Sequence, residues 1–202
     1  MGKRIGLLLS GRGSNFEAIA GNIRNGTLDA EIAVVISNRE AAPGLATARA
    51  LGLNAVCHPS KGIEREALDA QLVATLRQHE VDLVILAGYM RLLSPVFIRA
   101  FPQRILNIHP SLLPAFPGLD AQHQAFEYGA KISGCTVHFV DEQLDHGPII
   151  RQAAVEVLAG DTAETLSARI LEQEHKVYSE AIGIVLSGRY RIEGRRVLVE
   201  EN

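Results

Sequence analysis

Asn107 and His109 stand two residues apart at the end of an apolar run, in the stretch ILNIHPSLLPAFPG over residues 105–118. Residues at i and i+2 of an extended strand project from the same face, so the amide and the imidazole should lie side by side. Pro110 keeps His109 extended, and the prolines of this stretch are expected to hold the following loop rigid. An amide N–H stabilises an oxyanion, and an imidazole transfers protons near neutral pH. The pair therefore indicates acyl transfer, although a lone histidine is more often structural.

A second candidate site is the segment SGRGSN, where Gly11 and Gly13 lie between the first apolar run and the first helical pattern. Glycines permit a tight turn and close backbone approach, and a helix N-terminus offers free N–H groups to an anion. The dinucleotide fingerprint would need a small residue at Phe16, and a Walker A motif would need a Gly-Lys pair, so a single phosphate group is favoured. Ser14 and Glu17 also have capping-box spacing, which would explain Ser14 without any ligand.

The remaining ionisable groups are less specific. Asp145 lies in the segment VDEQLDHGPII, whose composition is typical of a solvated turn. The acidic residues and histidines there, with His138 nearby, match no known metal-ligand spacing, so we expect no metal site. Glu174 falls in the apolar stripe of the last long helical pattern, where a carboxylate must be paired or functional. An ion pair with an arginine at the margin of the core is the structural alternative.

The composition restricts the class of protein. The chain has 202 residues, 47% of them hydrophobic, which suits one α/β domain over residues 1–202. The net charge of −3 disfavours a nucleic-acid-binding surface, and the glutamates of the basic C-terminal segment favour a solvated hairpin. We recognise neither a membrane-spanning run nor a signal peptide. Cys57 and Cys135 lack CxxC spacing, which predicts a reducing, cytoplasmic environment, and the apolar run around Cys135 predicts an inert thiol.

The elements that must position these groups alternate in the first half of the chain. Five short apolar runs are typical of parallel strands covered on both faces, namely IGLLLS, EIAVVIS, NAVCH, VDLVILAG and RILNI. Helical spacing lies between them, at residues 14–25, at residues 64–79 and after Ser94–Pro95, which looks like a cap followed by the first helical residue.

The pattern changes after residue 130. Two alternating segments are separated by only about ten residues, too few for a helical crossover, which predicts an antiparallel pair. A long helix follows, from a capping box at Asp161–Glu164 to about residue 187. We therefore predict a Rossmann-like α/β fold, with a mostly parallel twisted sheet, helices on both faces, an antiparallel strand in the C-terminal half and a C-terminal hairpin. Ligands bind beyond the carboxyl ends of such strands, so both candidate sites should face one cleft.

The motifs, taken in order, resemble the phosphoribosylglycinamide formyltransferase family over essentially the whole chain. The matching segments are SGRGSN, AGYMRLLSP, NIHPSLLPAFPG, VHFV and LDHGPII. The resemblance implies the formyltransferase fold and a role in purine biosynthesis. It implies direct transfer of a formyl group from 10-formyltetrahydrofolate, as co-substrate, to the glycinamide amine of a ribonucleotide, without a metal or an acyl-enzyme.

The resemblance also implies roles for individual residues. Those implied to be catalytic are Asn107, His109 and Asp145. Those implied to bind the ribonucleotide and its phosphate are Gly13, Ser14, Asn15 and Glu174. Those implied to surround the folate are Arg65, Met90, Arg91, Leu92, Leu93 and Asn107. Arg12 and the Gln122–His123 pair depart from the usual family pattern. The expected partners are small-molecule substrates, not nucleic acid or membrane, for a monomer or a homodimer.

Three alternatives stay open. Formyltetrahydrofolate deformylase has a closely related catalytic domain, but usually an additional N-terminal domain and no proline after the catalytic histidine. Here a strand is predicted near residue 4, and Pro110 follows His109. Methionyl-tRNA formyltransferase adds a basic C-terminal domain for which this chain lacks the length and charge. A non-catalytic nucleotide- or folate-sensing module would not need the three candidate catalytic residues together.

Overall fold

The computed structural model describes residues 3–200. The strands are β1 (Arg4–Leu9), β2 (Glu31–Ser37), β3 (Ala55–Cys57), β4 (Leu83–Leu86), β5 (Ile105–His109), β6 (Ile132–Phe139), β7 (Ile149–Glu156), β8 (Tyr190–Glu193) and β9 (Arg196–Val199). The helices are α1 (Ser14–Arg24), α2 (Pro43–Ala50), α3 (Arg65–Gln78), α4 (Pro95–Ala100), α5 (Ala121–Tyr128) and α6 (Ala163–Ser187).

The strands form a nine-stranded sheet in the order β3-β2-β1-β4-β5-β6-β7-β9-β8. The five predicted apolar runs are the parallel strands β1 to β5. β6 runs antiparallel to both β5 and β7, and its pairing with β7 agrees with the short connection between them. β8 and β9 form the predicted hairpin, which joins β7 through the pair Ile149 and Arg196. The predicted fold class is confirmed.

Helices cover both faces of the sheet. Successive residues of a buried strand point to opposite sides, so each buried strand contributes side chains to both layers. Leu7 of β1 packs in the layer formed with α1, α2 and α6, whereas Leu8 packs in the layer formed with α3 and α4. Tyr178 of α6 is fully buried, and its hydroxyl lies 2.8 Å from the carbonyl oxygen of Leu86 and 3.0 Å from that of Leu106. These contacts fix the middle of α6 against β4 and β5.

Two predicted helix caps are wrong by one residue. The N-cap of α1 is Gly13, in the left-handed conformation with φ 74°, and Ser14 is the first helical residue. Glycine adopts this conformation without strain, which lets the chain turn directly from β1 into α1. The capping box of α6 joins Thr162 to Thr165, and the carboxylate of Asp161 instead pairs with Arg169 at 2.6 Å. Within residues 3–200, no helix combines the length and apolar character that a membrane span requires.

Candidate active site

The carboxyl ends of β1, β4 and β5 bring the predicted groups to one edge of the sheet. The strand order reverses between β1 and β4, which are neighbours in the sheet although two strands separate them in the chain. Ligands of open α/β sheets bind at such a reversal. The glycine loop (residues 10–15) follows β1, residues 87–94 follow β4, and Asn107 and His109 end β5. The amide of Ser10 donates to the carbonyl of Gly88 at 3.0 Å, which joins the first two segments.

A cavity of about 350 Å³ opens between the glycine loop and the segment that follows β4. Its lining comprises the glycine loop, Arg39, Ala87, Gly88 and Met90. The first N–H groups of α1 have no partner within the helix, and the helix dipole favours an anion there. Arg12, whose role the sequence left open, lines the cavity together with Arg39. The cavity therefore suits a phosphate group.

Glu174 is buried in α6, as its position in the apolar stripe predicted, and its partner is an amide rather than an arginine. Nδ2 of Asn15 donates to Oε2 of Glu174 at 2.8 Å, and the two residues are 8% and 6% exposed. Burial raises the pKa of Glu174, against the lowering effects of the Asn15 hydrogen bond and of His109. The carboxylate thus holds the side chain of Asn15, which lines the cavity. A buried carboxylate with a raised pKa next to a cavity-lining residue is typical of a functional group.

His109 lies between a carboxylate and a carbonyl group. Its Nδ1 is 3.4 Å from Oδ2 of Asp145, and its Nε2 is 2.8 Å from the carbonyl oxygen of Phe116. The side chains of His109 and Asp145 are only 5% and 8% exposed. Both neighbours can accept a hydrogen bond, so each ring nitrogen faces an acceptor and the ring has a defined orientation. The implied proximity of Asp145 to His109 is thus present in the structure.

The prediction of a solvated turn at Asp145 is wrong for its side chain. Oδ2 of Asp145 also accepts the backbone N–H of Gly118 at 2.8 Å, which ties this carboxylate to the loop that follows β5. The backbone of Asp145 has a φ of 49°. A residue other than glycine keeps such a conformation only where its surroundings hold it in place.

His138 is the candidate site residue that sequence reasoning missed, since it was considered only as a metal ligand. It lies opposite Asn107 in the β5–β6 pair and is buried. Its Nδ1 is 2.8 Å from the carbonyl oxygen of Phe139, so this nitrogen carries the proton of the neutral ring. Nε2 then accepts a hydrogen bond from Nδ2 of Asn107 at 3.3 Å. Burial lowers the pKa of His138, which favours the neutral ring. The amide nitrogen of Asn107, and not its oxygen, therefore faces Nε2.

Side chains of β6 and β7 hold the loop that follows β5. Oγ1 of Thr136 donates to the carbonyl of Ser111 at 2.7 Å and accepts the N–H of Leu113 at 3.0 Å. Nε2 of Gln152 donates to the carbonyl of Leu113 at 3.0 Å. The rigidity that the prolines predicted is therefore supplied in part by hydrogen bonds from neighbouring strands.

Four of the implied folate residues, at positions 90–93, lie in the segment after β4, and Arg65 lies apart from them at the start of α3. Met90 and Leu92 are 64% and 59% exposed in the segment after β4, and exposed apolar side chains beside a cavity are typical of a ligand surface. The N–H of Met90 donates to Oγ of Ser10 at 2.8 Å, and Nη1 of Arg91 donates to the carbonyl of Ser60 at 3.3 Å. Arg65, the first residue of α3, is not among the residues that line the cavity.

Other features of the molecule do not compete with this site. Cys135 is fully buried, which raises its pKa to about 12 and makes it a poor nucleophile, as predicted. Among residues 3–200, no cluster of three or more histidine, cysteine or acidic side chains could hold a metal ion. A larger open groove of about 1130 Å³ lies between α1 and α6, but none of the predicted site residues lines it. We therefore locate the site by its chemistry and not by cavity size.

The fold and this arrangement define a class of protein, and comparison with known proteins agrees. The family model described as formyl transferase matches residues 3–182, and the chain belongs to this family. A phosphoribosylglycinamide formyltransferase of Bacillus subtilis is 44% identical over 181 residues, which cover 89% of this chain and 93% of that protein. The crystal structure of glycinamide ribonucleotide transformylase 1 from Symbiobacterium toebii is 54% identical, with a TM-score of 0.96 over 99% of this chain and 95% of that chain.

Two further comparisons bear on the alternatives. A formyltetrahydrofolate deformylase from Pseudomonas syringae is 29% identical, with a TM-score of 0.93 over 100% of this chain and 67% of that chain. This chain also spans between 14% and 20% of the length of the trifunctional purine biosynthetic proteins that it matches. Proteins named as formyltransferases and a deformylase therefore share this fold, and the fold alone does not separate the two activities.

Proposed function

We propose that this protein transfers the formyl group of 10-formyltetrahydrofolate to the amine of N1-(5-phosphoribosyl)glycinamide, a reaction of de novo purine biosynthesis. The observation that carries the proposal is a cavity suited to phosphate at the same edge of the sheet as the group formed by Asn107, His109 and Asp145. A deformylase needs no second substrate with a phosphate. The identity of 44% to the Bacillus subtilis formyltransferase, over nearly the whole of both chains, supports the same substrates.

The reaction requires a stabilised oxyanion and the movement of one proton. The glycinamide nitrogen attacks the formyl carbon, and the carbonyl oxygen becomes an oxyanion. The bond from this carbon to N10 of the folate then breaks, while the amine loses one proton and N10 gains one. Asn107 donates a hydrogen bond to the oxyanion. Nε2 of His109 donates to it after exchanging the Phe116 carbonyl for the oxyanion, while Asp145 orients the ring at Nδ1. Donors that are aimed in advance at a developing charge each contribute on the order of 3 kcal/mol.

The two substrates approach from different sides of the candidate catalytic group. The ribonucleotide phosphate binds at the N-terminus of α1, on Gly13, Ser14 and Asn15, with Glu174 contacting the same substrate. The folate lies along the segment after β4, where Met90, Arg91, Leu92 and Leu93 surround it. Arg65 is the weakest member of this set, because it lies at the start of α3 and outside the segment that holds the other four.

Turnover tests the proposed function directly. The protein is incubated with 10-formyltetrahydrofolate, with and without glycinamide ribonucleotide, and the absorbance of the folate is followed. We expect consumption only when the ribonucleotide is present, and no change when a chelator is added. Equal consumption without the ribonucleotide would identify a deformylase. Binding of both compounds without consumption would identify a sensing module.

Ser14→Ala is expected to raise the KM for the ribonucleotide without lowering stability. The N-cap position belongs to Gly13, so the loss of about 1 kcal/mol that usually follows removal of a capping serine should not occur. Steady-state kinetics and a melting temperature measure the two effects separately. An unchanged KM, or a lower melting temperature, would show that Ser14 serves the helix and not the substrate.

Glu174→Gln is expected to raise the melting temperature while it weakens use of the ribonucleotide. Burial raises the pKa of Glu174, so ionisation of this group lowers stability as the pH rises above its ordinary pKa of 4.5. Glutamine removes the charge and can still accept the Asn15 hydrogen bond. The increase in melting temperature should therefore be present at pH 7–8 and become smaller toward pH 4.5. The KM for the ribonucleotide should rise roughly 10-fold, as for one lost charge-assisted hydrogen bond.

Glu172→Gln is the matched control, since Glu172 is an exposed glutamate on the same helix. This variant should change neither the melting temperature nor the KM for the ribonucleotide. A variant Glu174→Gln with a normal KM would refute the ligand role, and one with a lower melting temperature at pH 8 would show that the ionised carboxylate stabilises the fold.

A further inference from the structure

The loop between β6 and β7 presents Asp145 to His109 while much of it faces solvent. Glu142 and Leu144 are exposed, and Asp145 itself has a positive φ of 49°. We call residues 140–148 the Asp145 loop. Because a strained backbone persists only where its surroundings determine it, the contacts that hold this loop also determine where the carboxylate lies.

The sheet holds the inner side of the Asp145 loop. The N–H of Phe139 donates to the carbonyl of Pro148 at 2.9 Å. A Cβ atom at Gly147 would lie 1.8 Å from the carbonyl oxygen of Phe139, so the backbone passes closer to β6 than any other residue type allows. These contacts lie after Asp145, on the side of the loop that faces the sheet.

Arg195 holds the solvent side. It lies in the turn Gly194–Arg195 at the tip of the C-terminal hairpin, and its Nη2 donates to the carbonyl oxygen of His146. Its Nη1 is 2.7 Å from Nε2 and 3.1 Å from Nδ1 of the His146 ring. Nδ1 of His146 is in turn 2.9 Å from Oδ2 of Asp141. Arg195 therefore contacts both the backbone and the ring of the residue next to Asp145.

The position of the hairpin tip is itself set by the core. The ring of Tyr190 stacks on that of Phe139 with 5.8 Å between the centroids, and β9 pairs with β7 at Ile149. Ile192 and Val197 pack against the main core. The guanidinium of Arg195 therefore extends from a fixed support to the Asp145 loop.

We propose that Arg195 is a positioning residue for Asp145, and that the C-terminal hairpin acts as a clamp on the Asp145 loop. This inference rests on the proposed function, in particular on the role of Asp145 beside His109. Arg195 is an exposed side chain, and substitution of such residues usually changes stability little, so the effect of the clamp is expected on the geometry of the site and not on the stability of the fold. Misplacement by about 1 Å can lower a rate by roughly 10²-fold, and a loosened loop should cause part of that loss.

Arg195→Ala tests the clamp. We expect kcat to fall roughly 10-fold, with the KM values of both substrates and the melting temperature nearly unchanged. Arg195→Lys should restore part of kcat, because lysine can reach one of the two acceptors. The control is Arg191→Ala on the same hairpin, whose guanidinium pairs with Glu193 at 2.7 Å, and it should keep full kcat.

A double-mutant cycle separates action through Asp145 from a general structural effect. If Arg195 acts through Asp145, adding Arg195→Ala to Asp145→Asn should lower kcat by less than about 2-fold further. A further 10-fold loss in that background, or an unchanged kcat of Arg195→Ala alone, would overturn the clamp. An unchanged kcat of Arg195→Ala, together with a strong loss of kcat in Asp145→Asn, would leave the proposed function intact. An unchanged kcat in Asp145→Asn would overturn both the role of Asp145 and the clamp.

Discussion

Replacing Asp145 by asparagine is expected to lower kcat by roughly 10²- to 10⁴-fold, the range for loss of acid–base assistance. Asparagine keeps the size of the side chain and an oxygen that can accept the N–H of Gly118. It removes the negative charge that lies 3.4 Å from Nδ1 of His109. The effect should fall on kcat, since the proposed binding residues for the ribonucleotide and the folate are others. Steady-state kinetics with both substrates varied measures it.

The Asp145 loop supplies its own control. Glu142 carries a carboxylate whose side chain is 57% exposed and lies 3.7 Å from Arg99, so Glu142→Gln should keep a normal kcat. Asp145→Ala should in addition lower stability by about 1–3 kcal/mol, because the N–H of Gly118 loses its acceptor. If Asp145→Asn keeps a near-normal kcat, the candidate catalytic group shrinks to Asn107 and His109.

Asn107→Ala is the second change with a large expected effect, a fall in kcat of roughly 10²- to 10³-fold, as found when one oxyanion donor is removed. The amide is held by Nε2 of His138 at 3.3 Å, which leaves the second Nδ2 hydrogen free for the formyl oxygen. Alanine removes this donor without adding volume. Single-turnover measurements at saturating substrates isolate the chemical step.

Asn54 provides a comparison for this variant. Its Nδ2 donates to the carbonyl of Ala33 at 3.0 Å, away from the candidate site, so Asn54→Ala should keep the rate of the chemical step. A normal single-turnover rate in Asn107→Ala would show that His109 alone stabilises the oxyanion. A loss confined to KM would instead make Asn107 a binding group.

The strands and helices could be predicted because their signals are local. The apolar runs of β1 to β5 and the stripe of Leu68, Leu72 and Leu76 in α3 depend only on neighbouring residues. The cap of α1 was predicted one residue late, because the spacing of Ser14 and Glu17 fits a capping box, whereas the left-handed backbone of Gly13 already begins the helix. Local patterns compete at such a boundary, and only the backbone conformation decides between them.

The candidate site was less predictable because its contacts join distant parts of the chain. The i, i+2 spacing at the end of an apolar run identified Asn107 and His109, but not the register that places His138 opposite Asn107. The burial of Asp145 depends on the loop that follows β5, which no pattern around Asp145 indicates. The apolar stripe revealed that Glu174 is buried, yet its amide partner could not be inferred from spacing.

The hydrogen bond between Asn15 and Glu174 joins residues 159 positions apart, and this separation orders events during synthesis. The glycine loop leaves the ribosome early, whereas its partner in α6 is made roughly 8–30 s later, at ~5–20 residues per second. Tyr178, which fixes α6 against β4 and β5, is made later still. A nascent chain that lacks α6 therefore has the glycine loop but not the partner of the Asn15 amide, so we expect substrate binding only after the last long helix has docked.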